Sequence, residues 1–164
     1  DGEPAFELYK KYLGNKIKDF STLCYYFPLL YKTKEMNDGV VRTILRFDEK
    51  IGSLTFAGDI STGSSARLMK ANVDSLVSGA EEAAINCTTQ NNENPELAIL
   101  VSCVGRKIVM KQRVEEEIEI VRDVFSPETT LTGFYSYGEI APFSNSNFHH
   151  LHNQTMSITT FAES

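Results

Sequence analysis

The sequence predicts an α+β fold in which helices pack on a mixed, largely antiparallel sheet. Two long segments, 72–89 and 110–125, carry apolar residues at helical spacing. Segments 40–47 and 155–161 alternate between apolar and polar residues, as strands do. Between the two helical segments, Leu97–Val101 is a continuous apolar run, which is typical of a strand buried on both faces. These patterns give the element order α-β-β-α-β-α-β-β.

Length and composition favour one acidic globular domain. The chain has 164 residues, of which 41% are hydrophobic and 23% charged, so it can bury a core without a disulfide or a metal. The formal net charge of −6 disfavours nucleic acid as a partner, because phosphate binding needs a basic surface. Three cysteines do not make a secreted disulfide framework, and no stretch approaches the ~20 apolar residues of a membrane span. We therefore predict a cytoplasmic protein with neither nucleic acid nor membrane as a partner.

The start of the chain, Asp1-Gly2-Glu3-Pro4, is not a signal peptide, since it lacks Met, a basic lead and an apolar run. We interpret it as a site at which the chain is processed or excised from a longer polypeptide. Residues 1–164 are treated as a single domain.

The first elements are a helix and a hairpin. Pro4–Leu13 has the spacing of a short helix that Gly14 terminates. Pro28 then forbids one uninterrupted helix, so we expect a helical turn followed by an irregular segment. Val40–Phe47 and Ser53–Ile60 predict an antiparallel hairpin. In the first of these strands, alternation places Val41, Thr43, Leu45 and Phe47 on one face and Arg42 and Arg46 on the other.

Two helices follow. Asn72 to about Thr89 is the first, and Asn72 is its predicted N-cap. The second has an apolar stripe and an acidic face. The stripe comprises Met110, Val114, Ile118, Val121 and Phe125, and the acidic face comprises Glu115, Glu116 and Glu119. Ser126-Pro127 ends this helix.

The last elements are strands. Thr130–Ile140 is the first, with Leu131, Gly133, Tyr135 and Tyr137 on one side, and Thr155–Phe161 is the second. Polar segments 90–95 and 141–147 are predicted loops.

The first candidate site is Ser102-Cys103-Val104-Gly105-Arg106, where the buried strand meets a helix. A helix N-terminus offers free N–H groups, so a ligand carboxylate has a binding place there, with Arg106 as a bidentate donor. The same groups would lower the pKa of a nearby Cys103 thiol. The alternative is a small buried cysteine in the core and a surface arginine.

The second candidate site lies in Gly133–Pro142. Period-two alternation places Tyr135, Tyr137 and then Glu139 on one face, beside the gap left by Gly133. Two phenols make a flat pocket wall with hydroxyls for orientation, and Glu139 is able to pair with a ligand amine or with Arg106. The alternative is ordinary strand tyrosines and a solvated glutamate.

The third candidate site is Phe148–Thr155, which holds all three histidines. Neither a Cys-x-x-Cys nor a His-Glu-x-x-His spacing is present, so a zinc site is disfavoured. One histidine remains a candidate axial haem ligand. For His149 and His150 a surface loop is the preferred interpretation. Cys103, His152 and Glu139 also permit a thiol-hydrolase hypothesis, provided that the fold brings them together.

In their order along the chain, six motifs make this sequence resemble the C-terminal half of the FIST domain, named for F-box and intracellular signal transduction proteins. The similarity extends from about Glu3 to Glu163. The motifs are Val41-Arg42-Thr43, Gly52–Ile60, Ala66-Arg67-Leu68-Met69, Ser102–Arg106, Gly133–Pro142 and Leu151-His152-Asn153-Gln154-Thr155.

The resemblance implies a sensory module of bacterial signal transduction proteins rather than a stand-alone catalyst. It implies a small ligand, such as an amino acid, and no cofactor or metal. Some members resemble haem-bound nitric oxide sensors, and His152 would be the axial ligand in that alternative. The implied partners are an N-terminal FIST half, which this chain lacks, and a signalling output domain or partner kinase. The site residues that match family motif positions are Cys103, Arg106, Tyr135, Tyr137, Glu139, His152 and Asn153.

These positions combine into one ligand-binding hypothesis. Arg106 and the adjacent helix N-terminus hold a carboxylate, Glu139 takes an amine, and Tyr135 and Tyr137 wall the pocket. A hydrolase that uses Cys103 is the lesser alternative.

Overall fold

A computed structural model of the chain describes residues 2–14, 20–36, 39–91, 95–142 and 149–163. The chain divides into two compact units, Asp1–Ala71 (unit 1) and Asn72–Ser164 (unit 2). Both contain helices and mostly antiparallel strand pairs, so the predicted α+β class is confirmed. None of the described helices is long and apolar enough to cross a membrane. The predicted loops lie partly outside the described residues, at 92–94 and 143–148.

The described residues of unit 1 form two α-helices and five short strands. They are α1 (Ala5–Leu13), α2 (Phe20–Tyr26), β1 (Leu29–Lys32), β2 (Val40–Arg42), β3 (Ile44–Asp48), β4 (Ser53–Phe56) and β5 (Ser65–Leu68). Strands β2-β1-β5 form one antiparallel sheet, and β3 pairs with β4 as the predicted hairpin. Phe6 of α1 is buried and stacks on Phe47 at 4.9 Å between ring centroids, which ties the helix to the hairpin.

The predicted strand 40–47 is interrupted in the structure. It divides at Thr43 into β2 and β3, and the register of β3 on β4 shifts between Ile44 and Arg46. Alternation therefore does not run through the segment, and the expected faces are wrong. Arg42 is buried with its guanidinium over the Tyr31 ring, whereas Leu45 is 61% exposed.

In the part of unit 2 that the structure describes there are three α-helices and five strands. They are α3 (Val73–Asn91), β6 (Leu97–Cys103), α4 (Val104–Met110), α5 (Glu115–Val124), β7 (Thr130–Ser136), β8 (Glu139–Pro142), β9 (His149–His152) and β10 (Met156–Phe161). Strand β6 is central, parallel to β7 and antiparallel to β10, while β8 and β9 form a separate antiparallel hairpin. The apolar run Leu97–Val101, predicted to be a strand buried on both faces, is thus part of the middle strand of this sheet.

Helix α3 packs on the sheet through small residues. Ala80 and Ala84 are fully buried and share a cluster with Leu100 of β6 and Val121 of α5. The Asn72 side chain accepts a hydrogen bond from the Asp74 backbone N–H at 2.9 Å, which confirms the predicted N-cap.

The predicted second helix is broken. Helix α4 ends at Met110, a 3₁₀ turn covers Lys111–Arg113, and α5 begins at Glu115, because Lys111 takes a positive φ of 56° that α-helix does not permit. The single stripe from 110 to 125 is therefore wrong in part. Ile118 is 42% exposed, while Glu117 is fully buried. Spacing of four residues places Glu117 on one face with Val121.

Candidate functional site

The candidate site lies where the parallel strands β6 and β7 end. Ser102 is the register partner of Tyr135, and Cys103 that of Ser136. Because the strands are parallel, their carboxyl ends meet at one edge of the sheet, where many α/β proteins bind ligands. Successive side chains of a strand point to opposite faces, so the two register pairs serve two different faces.

One face carries the Glu117 network, which comprises Ser102, Arg106, Glu117 and Tyr135. The Glu117 carboxylate accepts hydrogen bonds from Ser102 Oγ at 3.1 Å and Tyr135 Oη at 3.1 Å. Arg106 Nε donates to Glu117 Oε2 at 2.9 Å, which makes a buried ion pair. Four elements, β6, α4, α5 and β7, are joined by this one carboxylate.

Arg106 does not face an open anion site in this arrangement. It is 2% exposed, and besides Glu117 it binds the Leu76 carbonyl oxygen of α3, with 2.7 Å between Nη2 and the oxygen. The guanidinium thus already holds a carboxylate from its own chain. The predicted ligand carboxylate would have to compete with Glu117.

The other face carries the Glu139 network, which comprises Ser136, Glu139 and Thr155. Glu139 is 3% exposed, and its carboxylate accepts hydrogen bonds from the Ser136 and Thr155 hydroxyls, the latter at 2.8 Å. Burial raises the pKa of Glu139, while these hydroxyls, the Thr155 backbone N–H and the charge of Arg106 lower it in part. Neutral donors therefore hold a buried acidic group.

Cys103 is buried next to this network, with 4% exposure. Burial raises the pKa of its thiol, and backbone hydrogen bonds from Gln154 and Gly105 only partly offset that effect. The nearby Glu139 raises the pKa further. The helix N-terminus therefore does not produce an activated thiolate, and Cys103 is the small buried cysteine of the alternative interpretation. The surface arginine of that interpretation is wrong, since Arg106 is buried.

The turn after β9 supplies the remaining candidates. His152 is the register partner of Glu139 in the β8–β9 hairpin, and its Nε2 lies 3.1 Å from the Ala141 carbonyl oxygen. Asn153 is almost fully buried and donates from Nδ2 to the His152 carbonyl oxygen. Gln154 follows with a positive φ of 57°, a backbone conformation that few non-glycine residues adopt.

The two tyrosines differ in their surroundings. Tyr137 lies in the turn between β7 and β8 and is 89% exposed. Tyr135 is 37% exposed; its ring lies under Lys107 Nζ at 4.8 Å, and its hydroxyl reaches Glu117. Burial, followed by the charge of Glu117, raises the pKa of Tyr135 to about 12. Of these two tyrosines, Tyr137 is the one with a freely accessible phenol.

The expectation that Glu139 shares a face with Tyr135 is wrong. The turn at Tyr137 and Gly138 ends the period-two alternation, and β8 begins a new strand. Glu139 bonds to Ser136, whose side chain points away from the face of Tyr135.

His152 is also the residue of the haem alternative. Its ring is buried and its Nε2 lies 3.1 Å from the Ala141 carbonyl oxygen. A histidine that ligates a metal commonly bonds a carbonyl through its other ring nitrogen, so axial ligation by His152 stays a prediction. Within the described residues, no group of three or more His, Cys, Asp or Glu side chains is able to hold a metal ion.

Sequence reasoning missed Glu117, Ser102 and Thr155 as members of the two networks. Glu117 stands in an acidic run that reads as a solvated helix face. Its spacing of four residues before Val121 was the one available signal.

The comparisons with known proteins identify a family. Residues 5–142 match the model of the FIST C domain, a match that spans both units and stops short of the Leu151–Thr155 motif. Neither the curated proteins nor the solved structures that were compared with the chain gave a match. The family is a sensory one, found in signal transduction proteins, and is not a known enzyme family. The chain belongs to the FIST C domain family.

Proposed function

We propose that this chain is a non-enzymatic sensor of a small polar molecule bearing an ammonium group, such as an amino acid, within an intracellular bacterial signalling protein. The observation that carries the proposal is Glu139, an acidic side chain at the carboxyl edge of a parallel strand pair whose described hydrogen-bond donors are all neutral. The charge of Arg106, which makes no described hydrogen bond to Glu139, favours the ionised carboxylate, and an incoming ammonium group would add a direct charged hydrogen bond.

The neighbours of Glu139 give the site its other surfaces. His152 lies opposite Glu139 in the hairpin, and Cys103 and Asn153 are close along β6 and the β9 turn. Tyr137, two residues before Glu139 in the turn between β7 and β8, is exposed and available to cover a bound ligand, and Tyr135 precedes it near the end of β7. Arg106 acts here as a positioning residue, since Glu117 occupies its Nε.

Ligand binding would shift the population of conformers presented to an N-terminal FIST half and to an output domain or kinase. A sensor needs a ligand that binds one conformer more tightly than another. At the β6–β7 edge, such a difference would arise if the ligand changes the polar contacts that join the neighbouring elements.

Isothermal titration calorimetry tests the proposal. The ligands are a panel of amino acids, the amines that remain after decarboxylation, and the N-acetylated forms, which have no ammonium group. We expect binding by some amino acids and amines and none by their N-acetyl forms. Glu139→Gln should weaken binding about tenfold to a hundredfold, the effect of one charged hydrogen bond. Glu128→Gln, at an exposed glutamate, is the matched control. If no amine binds, or if Glu139→Gln binds as well as the natural chain, the proposal is wrong.

The pH dependence of binding supplies an independent check. Only the ionised carboxylate attracts an ammonium group, and burial raises the pKa of Glu139. Affinity should therefore increase as pH rises through that raised pKa, above the usual carboxyl range. An affinity that falls over this interval would contradict the assignment of Glu139.

A further inference from the structure

The Glu117 network links the half-exposed Tyr135 to helix α3, which packs on the same face of the sheet. Tyr135 is its most exposed member, while Arg106 and Glu117 are 2% and 0% exposed. Tyr135 Oη donates a hydrogen bond to the Glu117 carboxylate, and Arg106 Nε donates to the same carboxylate. Arg106 Nη2 in turn donates to the Leu76 carbonyl oxygen. Each step is between 2.7 and 3.1 Å.

We propose that Glu117 is the positioning residue of a relay through which a change at Tyr135 reaches the first turns of α3. This inference rests on the proposed sensory function, because it describes how occupation of the β6–β7 edge is passed on. It concerns different residues from those that would bind the ligand's ammonium group.

The chemistry of Glu117 makes the relay sensitive to Tyr135. A fully buried carboxylate needs all its donors, because each donor lost leaves desolvated charge uncompensated. If a ligand or a partner turns the Tyr135 ring away, Glu117 retains Ser102 and Arg106 as donors. The carboxylate then shifts toward these remaining donors, and Arg106 follows it through their ion pair.

Arg106 is able to carry such a shift to α3 because its two donors point to different elements. Nε holds Glu117 of α5, and Nη2 holds the Leu76 oxygen, so a rigid planar guanidinium joins the two helices. Leu76 lies in the first turn of α3, and α3 is the first element after the chain leaves unit 1 at Ala71. A loosened contact at Leu76 thus acts next to the segment that connects the two units.

Hydrogen exchange of the ligand-free chain tests the relay. Tyr135→Phe removes only the hydroxyl that donates a hydrogen bond to Glu117. We expect exchange of the α3 amides near Leu76 to accelerate about fivefold to tenfold, the factor that corresponds to one hydrogen bond. Exchange along β6 and β10 should change by less. Tyr12→Phe, which removes the same hydroxyl from an exposed tyrosine of unit 1, should match the natural chain.

A second variant separates the relay from simple loss of stability. Arg106→Lys keeps the charge but cannot donate to Glu117 and the Leu76 oxygen in the same planar geometry, so it should accelerate the same α3 amides. The relay is refuted if Tyr135→Phe leaves α3 within twofold of the natural chain. It is also refuted if exchange accelerates equally across α3, β6 and β10, since that pattern indicates a merely structural role. Because no ligand is added, the relay and the ligand proposal can each fail while the other stands.

Discussion

Removing the Glu117 carboxylate should be among the most damaging single changes in unit 2. Glu117→Ala leaves the Arg106 guanidinium buried without its carboxylate and the Ser102 and Tyr135 hydroxyls without their acceptor. Breaking a buried ion pair by deleting one partner costs about 3–5 kcal/mol of unfolding free energy. That is a large share of the 5–15 kcal/mol that typically stabilises a domain.

The assay is urea unfolding followed by far-UV circular dichroism, since the chain has no tryptophan. The matched control is Glu116→Ala, at the preceding position of α5. Glu116 pairs with Arg113 at an exposed site, and exposed pairs contribute little to stability. We therefore expect a large drop in the unfolding midpoint for Glu117→Ala and almost none for Glu116→Ala.

A double variant tests the reason for the loss. Arg106→Met combined with Glu117→Leu removes both charges, so no uncompensated ion remains buried, and the pair should be less destabilised than Glu117→Leu alone. Equal midpoints for Glu117→Ala and Glu116→Ala would refute the reasoning. So would a double variant that is less stable than the single one by the full cost of a second deletion.

Three further predictions concern the same edge of the sheet. Gly133→Ala should destabilise unit 2 by about 1–3 kcal/mol in urea unfolding, because an added Cβ would lie 1.9 Å from the Leu100 carbonyl oxygen. Its control is Gly79→Ala in α3, which should be neutral or stabilising because the added Cβ would make only an ordinary van der Waals contact. Iodoacetamide should modify Cys103 more slowly than a free cysteine at pH 7, as measured by mass spectrometry, since burial raises the pKa of the thiol. Faster modification would support the hydrolase alternative. The pKa of Tyr135 in the folded chain, about 12, exceeds the ordinary tyrosine pKa of 10.0, so the contribution of its neutral hydroxyl to stability is complete below pH 10 and is lost as pH rises toward 12. Tyr135→Phe should remove that loss when unfolding is measured as a function of pH.

The sequence predicts best what periodicity alone controls. Helix α1, the buried strand β6 and the start of α3 at Asn72 lie where apolar spacing and capping chemistry place them. The family motifs likewise indicate the β6–β7 edge, because each strand end lies within one contiguous motif. Such features depend on neighbours along the chain, which a sequence displays directly.

The failures occur where the backbone interrupts a period. Lys111 breaks one expected helix into two, and the turn at Tyr137 and Gly138 ends one strand and begins another. Each break changes the face on which later side chains lie, so Ile118 and Glu139 were placed on the wrong side. A one-residue change of phase is enough, because strand faces alternate with a period of two.

Glu117 and Arg106 show why the site's electrostatics could not be predicted in the same way. An arginine at a helix start reads as an anchor for an external anion, and a glutamate in an acidic run reads as solvated. Both interpretations change once Arg106 Nε is known to lie 2.9 Å from Glu117 Oε2. The two residues are eleven positions apart in the chain and belong to two different helices, so no sequence pattern shows that they are paired. Once they are paired, the hydrogen-bonding capacity of Arg106 is used inside the fold, whereas the described donors to Glu139 are neutral hydroxyls. The pairing therefore weakens the predicted carboxylate anchor at Arg106 and leaves the predicted ammonium anchor at Glu139 as the basis of our proposal.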